Sequence, residues 1–197
     1  MKQILCFGDS NTYGYAPFDG RYDASVRWVD RLEVYFAGEY RMIHAGLNGR
    51  TIGRYNSIWP ELNGIDVIGG YLERYQPLHM IILMLGANDA WYDSAEDICV
   101  SMRQFLHIIK EHPQTVANHT HVLLVAPPSC NEPGLKETLV RIGPAYRALT
   151  QEMQLNFVDT ADWQIDLAED GCHFSPQGHA SFAAYLYDYI NNNPNLR

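Results

Sequence analysis

Ile4-Leu5-Cys6-Phe7-Gly8-Asp9-Ser10-Asn11 is an apolar run that breaks at a glycine into three small polar residues. Four apolar residues ending in turn formers read as a buried strand, with the polar residues in the turn at its carboxyl end. The pattern returns twice. Residues 42–45 lead into Gly46-Leu47-Asn48-Gly49-Arg50-Thr51, and residues 80–85 lead into Gly86-Ala87-Asn88-Asp89. Residues 122–126 and 156–158 complete a set of five expected strands.

Between these runs lie helical patterns. The clearest spans residues 95–110, where Ile98, Met102, Phe105 and Ile109 share one helix face and Ser94 and Asp97 are spaced as in a capping box. Others cover residues 28–36, 65–75, about 144–153, and 176–190. The last starts well, with Ser175 at the N-cap and Pro176 at the first helical position. Strands that are apolar throughout and alternate with helices imply a parallel sheet covered on both faces, so the expected fold class is α/β. The chain has 197 residues, 47% of them apolar and 12% aromatic, and no repeat, low-complexity tract or linker. One domain over residues 1–197 is the expectation.

A formal charge of −9 leaves no electrostatic footprint for nucleic acid or an anionic membrane surface, both of which require clustered Lys and Arg. The N-terminus offers a single Lys2 and an apolar stretch too short for a signal-peptide core, and nothing later approaches a membrane span. The chain therefore reads as soluble and cytoplasmic. Cys6, Cys99, Cys130 and Cys172 lack Cys-x-x-Cys spacing and are too few to staple a domain of this size, so they read as reduced thiols.

Open α/β sheets bind ligands outside the carboxyl ends of their strands. Ser10, Gly49 and Asn88 all follow such ends, and Asp170 and His173 lie in the loop between the fifth strand and the last helix, so one site can hold all five. A serine hydroxyl is a poor nucleophile until a base removes its proton, and that base needs an acid to hold its ring in the right tautomer. Ser10, His173 and Asp170 supply those types. The Asn88 amide and the backbone N–H groups of Gly49 and Ser10 are candidate donors to an oxyanion. Taken singly, each has an ordinary structural reading: Ser10 as a helix cap, Asn88 as a turn residue, Asp89 as a surface or capping carboxylate, Asp9 as a tie for the turn. Cys172, next to His173, reads better as a small filler than as a second nucleophile, and His119 and His121 as a solvated strand end rather than metal ligands.

In sequence order, Gly-Asp-Ser, a Gly before Arg-Thr, Gly-x-Asn-Asp and Asp-x-x-His together resemble the SGNH hydrolases, also called GDSL esterases and lipases. Over nearly the whole chain the resemblance is to a bacterial subgroup of arylesterases and acyltransferases, supported by Val26-Arg27-Trp28, by Ile81 to Gly86 before Asn88, and by Val122-Leu123-Leu124-Val125-Ala126-Pro127-Pro128. It implies a flavodoxin-like three-layer α/β/α sandwich with a five-stranded parallel sheet. It also implies hydrolysis of short-chain acetyl or aryl esters through an acyl-serine, with Ser10, Asp170 and His173 catalytic and Ser10, Gly49 and Asn88 forming the oxyanion hole. No metal or organic cofactor is implied, the partner is a small-molecule ester, and a homo-oligomer is expected because relatives in the subgroup form oligomers. Two positions depart from the pattern: Asn11 stands where the family's name has Leu, and Gly49 is often another small residue among the acyltransferases.

Long loops over residues 15–27, 51–64 and 127–143 are expected to shape the pocket. Tyr13, Tyr15, Trp28, Trp91 and Phe174 are its candidate wall, with Tyr55, Trp59 and Tyr92 nearby, and about half of these aromatics are expected in the core. Three other activities fit some of the same residues: an acyltransferase using the same acyl-enzyme, an O-acetyl esterase acting on carbohydrate, and a non-enzymatic α/β small-molecule binding module built on Gly8 to Gly14. The last lacks both the P-loop Lys-Ser/Thr and the Gly-x-Gly-x-x-Gly fingerprint.

Overall fold

The computed structural model describes residues 1–54 and 56–197. Strand β1 (Lys2–Gly8) runs into a one-turn helix α1 (Ser10–Tyr13), the two-residue strands β2 (Tyr15–Ala16) and β3 (Gly20–Arg21), and helix α2 (Trp28–Tyr35). Strand β4 (Tyr40–Gly46) leads to α3 (Gly64–Arg74), and β5 (Met80–Met84) to α4 (Ala95–Glu111) and α5 (Pro113–Asn118). Strand β6 (His121–Val125) leads to α6 (Pro133–Met153), and β7 (Asn156–Val158) to α7 (Pro176–Asn191).

Five strands form one parallel sheet in the order β4-β1-β5-β6-β7, while β2 and β3 pair separately. Alternation along each strand explains the continuous apolar runs. Leu5, Phe7, Ile81, Leu83, Val122 and Leu124 face a core closed by α3, α4 and α6. Ile4, Cys6, Met80, Ile82, Leu123 and Val125 face a second core closed by α2 and α7. Both faces are buried, so neither can carry the polar alternation of a half-exposed sheet. Among the described residues, no helix is long and apolar enough to cross a membrane.

The chain steps from β1 to β4 on one side, then passes back across β1 to β5. That reversal opens a crevice at the carboxyl edge. Register makes the edge level, because Gly8 pairs with both Gly46 and Met84. Close packing there requires Gly46: a Cβ at this position would overlap the backbone of Thr12 and Tyr13, so α1 lies directly against the end of β4.

Residues 144–153 are the fourth of the five expected helices, but the observed helix, α6, begins at Pro133 and carries Pro144 inside it. Proline favours the first turn of a helix, which makes Pro144 look like a start. Leu135, Leu139 and Ile142 before it and Tyr146, Leu149 and Met153 after it are all buried on one face, and this burial holds both halves together despite the lost hydrogen bond. The expected loop over residues 127–143 therefore ends at Glu132, the N-cap of α6.

Candidate active site

Asp9 caps α1, its carboxylate accepting the Asn11 N–H at 3.0 Å, and Ser10 is the first residue of that helix. From the loop before α7, His173 brings its Nε2 to 2.9 Å from Ser10 Oγ and its Nδ1 to 2.6 Å from Asp170 Oδ2. The other Asp170 oxygen accepts the backbone N–H groups of Cys172 and His173, both at 2.9 Å. Burial by itself would raise the Asp170 carboxyl, but these N–H groups and the imidazole outweigh it and hold the group below the usual carboxylate range. The imidazole and carboxylate side chains are about one-quarter exposed, at 25% and 29%, so the line from carboxylate to hydroxyl is open to a substrate.

Asn88 lines one cleft together with Ser10 and His173, and a second together with Gly49. Gly49 has φ +77°, a left-handed conformation that glycine adopts at no steric cost. Asn88 Nδ2 donates to the Arg50 carbonyl at 2.9 Å, which orients the amide and leaves its second N–H free to point elsewhere. Among the described residues, no protein acceptor takes the Ser10 or the Gly49 backbone N–H.

Two clefts meet at Asn88 and Trp91. A narrow slot of about 110 Å³ is lined by Ser10 and His173 together with Met84, Ala87, Pro127, Pro128, Leu135 and Leu139. A wider cleft of about 380 Å³ is more polar, with Thr51, Arg54 and Asn56 beside Leu62 and Tyr92. Arg54 is held there by Asp93 at 3.2 Å and lies over the Tyr92 ring at 4.2 Å.

Of the aromatics expected in the pocket wall, Trp91 is there, lining both clefts. Tyr15 packs on the His173 ring, centroids 4.6 Å apart, and braces the imidazole. Tyr13 turns away and lies under the Arg21 guanidinium. Trp28 and Phe174 are corrections: both are 1% exposed in the core under α2 and α7, where each packs against Phe182. Their positions next to the motifs reflect support from beneath rather than lining. Tyr55 lies outside the described residues.

Two further residues organise the edge. Arg50 is buried and donates to the Gly8 and Ala45 carbonyls and to the Tyr71 hydroxyl, while its guanidinium lies 4.2 Å from the Phe7 ring. It thereby ties the ends of β1 and β4 and presents its own carbonyl to Asn88. Asp89, expected at a surface or cap, is 2% exposed and accepts the Ile52 N–H with both oxygens at 3.1 and 3.2 Å. Nothing in the sequence distinguishes these partners, because they depend on strand order. Cys172 lies in the slot, but burial and the neighbouring Cys130 thiol push it up to about 11, which keeps it protonated near neutrality and argues against a nucleophilic role.

Burial pushes the Asp89 carboxyl up to about 6, against the Ile52 N–H that favours its charged form. With a folded value above the unfolded 3.8, the native state binds the extra proton between about pH 4 and 6. Stability therefore falls as pH rises through that window, by at most about 3 kcal/mol for this group. Asp89→Asn keeps an oxygen for Ile52 and is expected to flatten this part of the profile; urea midpoints at pH 4.5 and 7 compared with wild type measure it.

A parallel α/β sheet with this serine, histidine and aspartate at its carboxyl edge defines the class of SGNH hydrolases. The chain belongs to the GDSL-like lipase/acylhydrolase family, whose model matches residues 6–181. Solved structures similar to it include the aryl esterase of M. smegmatis, 27% identical with TM-score 0.86 over 98% of this chain and 99% of that one. A candidate arylesterase from Agrobacterium tumefaciens str. C58 is 30% identical, with TM-score 0.87 over 98% and 99% of the two chains. A carbohydrate acetylesterase family member from Sinorhizobium meliloti is 26% identical, with TM-score 0.89 over 98% of each. No curated protein matches the sequence. The protein is a hydrolase acting on esters.

Proposed function

We propose that this hydrolase cleaves short-chain carboxylic esters through an acyl-serine intermediate. The observation that carries the reading is the hydrogen-bonded line from Asp170 through His173 to Ser10, with Asn88 lining the same slot. Ser10 Oγ attacks the carbonyl carbon while His173 Nε2 takes its proton; Asp170 holds Nδ1–H and stabilises the imidazolium. Charge gathers on the carbonyl oxygen, where the N–H groups of Ser10, Gly49 and Asn88 receive it. The alcohol leaves with the proton from His173, and a water activated by the same imidazole releases the acid.

The narrow slot supports a small acyl group. At about 30 Å³ for each water-sized volume, 110 Å³ holds about four heavy atoms, which suits acetyl to butyryl. Leu135 and Leu139 of α6 stand in its wall, so Leu139→Ala is expected to move the preferred acyl chain from acetate or propionate toward butyrate and hexanoate. Rates on p-nitrophenyl esters from acetate to laurate read this directly; an unchanged chain-length profile would place the acyl group outside the slot.

A second reading, an O-acetyl esterase acting on carbohydrate, is favoured by the wide cleft. Thr51, Arg54 and Asn56 offer hydrogen-bonding groups beside the exposed faces of Trp91 and Tyr92, a mixture suited to a polyhydroxylated alcohol. Acetate release from acetylated sugars, compared with release from p-nitrophenyl acetate, separates it from an aryl preference.

A further inference from the structure

Two loops separated by 163 positions must hold Ser10 Oγ and His173 Nε2 at hydrogen-bond distance. The His173 loop is stiff within itself. Asp170 collects the N–H groups of Cys172 and His173, the Ala168 N–H donates to the His173 carbonyl at 2.7 Å, and Leu167 bridges to Phe174. Internal stiffness does not fix where that loop sits relative to Ser10. Among the described residues, one other hydrogen bond joins the two segments: the Phe174 N–H donates to Asn11 Oδ1 at 2.9 Å. It runs beside the Ser10–His173 bond, displaced by one residue on each chain.

Asn11 is itself anchored. Its carbonyl accepts the Trp28 indole N–H at 2.9 Å, and the Trp28 backbone N–H donates to His179 Nδ1 at 3.3 Å. Trp28 and His179 are fully buried, and the His179 imidazole, pushed down to about 3 by burial and by the Arg31 and Arg27 charges, stays neutral and keeps its acceptor nitrogen through the physiological range. Leucine at position 11 could not accept the Phe174 N–H.

We propose that Asn11 is a positioning residue that sets the Ser10–His173 distance by tying the Phe174 backbone to the Ser10 turn, with Trp28 and His179 holding Asn11 from beneath. The inference rests on the esterase reading. Asn11 does not bond to either reacting atom; it fixes the register in which the imidazole meets the hydroxyl. A displacement of about 1 Å in such a pair costs up to about 10²-fold in rate.

Asn11→Leu removes the acceptor at similar size, and Asn11→Asp retains it. On p-nitrophenyl acetate, at the pH plateau of each variant, Asn11→Leu is expected to lose about 10- to 100-fold in kcat with KM within about twofold, and Asn11→Asp to recover most of the loss. Amide exchange at Phe174 is read in parallel: slow in wild type and Asn11→Asp, faster in Asn11→Leu. An Asn11→Leu variant with wild-type kcat, or with wild-type protection at Phe174, overturns the proposal, as does an Asn11→Asp variant as slow as Asn11→Leu. A wild-type protein inactive on every ester would overturn the functional reading instead, and the exchange data would still decide whether Asn11 holds the loop.

Discussion

Ser10→Ala is expected to lower kcat on p-nitrophenyl acetate by about 10⁴- to 10⁶-fold, the range seen when a serine nucleophile is deleted. The size follows from what remains. Without Oγ there is no acyl-enzyme, and His173 can only activate water in a site shaped for a different attack. The proposed oxyanion donors would persist, so some rate above the uncatalysed reaction is expected to survive. The fold should be indifferent to the change. Asp9, not Ser10, caps α1, and the one side-chain bond lost is the partly exposed contact with His173. Stability is therefore expected to stay within about 0.5 kcal/mol of wild type. Stopped-flow traces should show an initial burst of p-nitrophenolate in wild type and none in the variant. Retention of more than about 1% of the activity would move the nucleophile elsewhere.

The sequence made the sheet legible because burial on both faces leaves little ambiguity of period: five largely apolar runs, interrupted only at His44 and Asn156 and each followed by Gly or another turn former, read as parallel strands. The site was legible for the same reason, since three of its four motifs begin where a strand stops and the fourth lies in the loop after the last strand. Legibility ended where position depends on strand order. Arg50 reads as a polar residue in a loop, yet it is buried because β4 lies next to β1 and offers it the Ala45 and Gly8 carbonyls. Pro144 reads as the start of a helix because its intrinsic preference is local, whereas the burial that carries α6 through it is tertiary. Trp28 and Phe174 adjoin the motifs in sequence, but their side chains are buried in the core under α2 and α7.

These hidden residues share one arrangement: each holds a backbone segment of the carboxyl edge rather than facing solvent. Arg50 ties two strand ends, Asp89 ties Ile52 in the loop carrying Gly49, and Asn11 ties the His173 loop. The buried carboxyl of Asp9, pushed up to about 6 by burial despite the Asn11 N–H, His173 and Arg50, belongs with them. The buried carboxyls of Asp9 and Asp89 lower stability at neutral pH in exchange for fixed geometry, which is the requirement of preorganised electrostatics.

Asn88→Ala carries the other large expected effect, a loss of about 10²- to 10³-fold in kcat, equivalent to about 2.7–4 kcal/mol of transition-state stabilisation. The ground-state carbonyl oxygen bears little charge, so the amide N–H gains most of its interaction only as the tetrahedral intermediate forms; KM should change by less than about threefold. Asn88→Asp should be worse than alanine although it is nearly isosteric. Its carboxylate would face the Arg50 carbonyl, acceptor against acceptor, and would oppose the developing oxyanion. Steady-state kinetics on p-nitrophenyl acetate therefore should rank wild type above Asn88→Ala above Asn88→Asp in kcat. If KM rises while kcat holds, Asn88 grips the substrate equally in ground and transition states, and the oxyanion role passes to the Gly49 and Ser10 N–H groups alone.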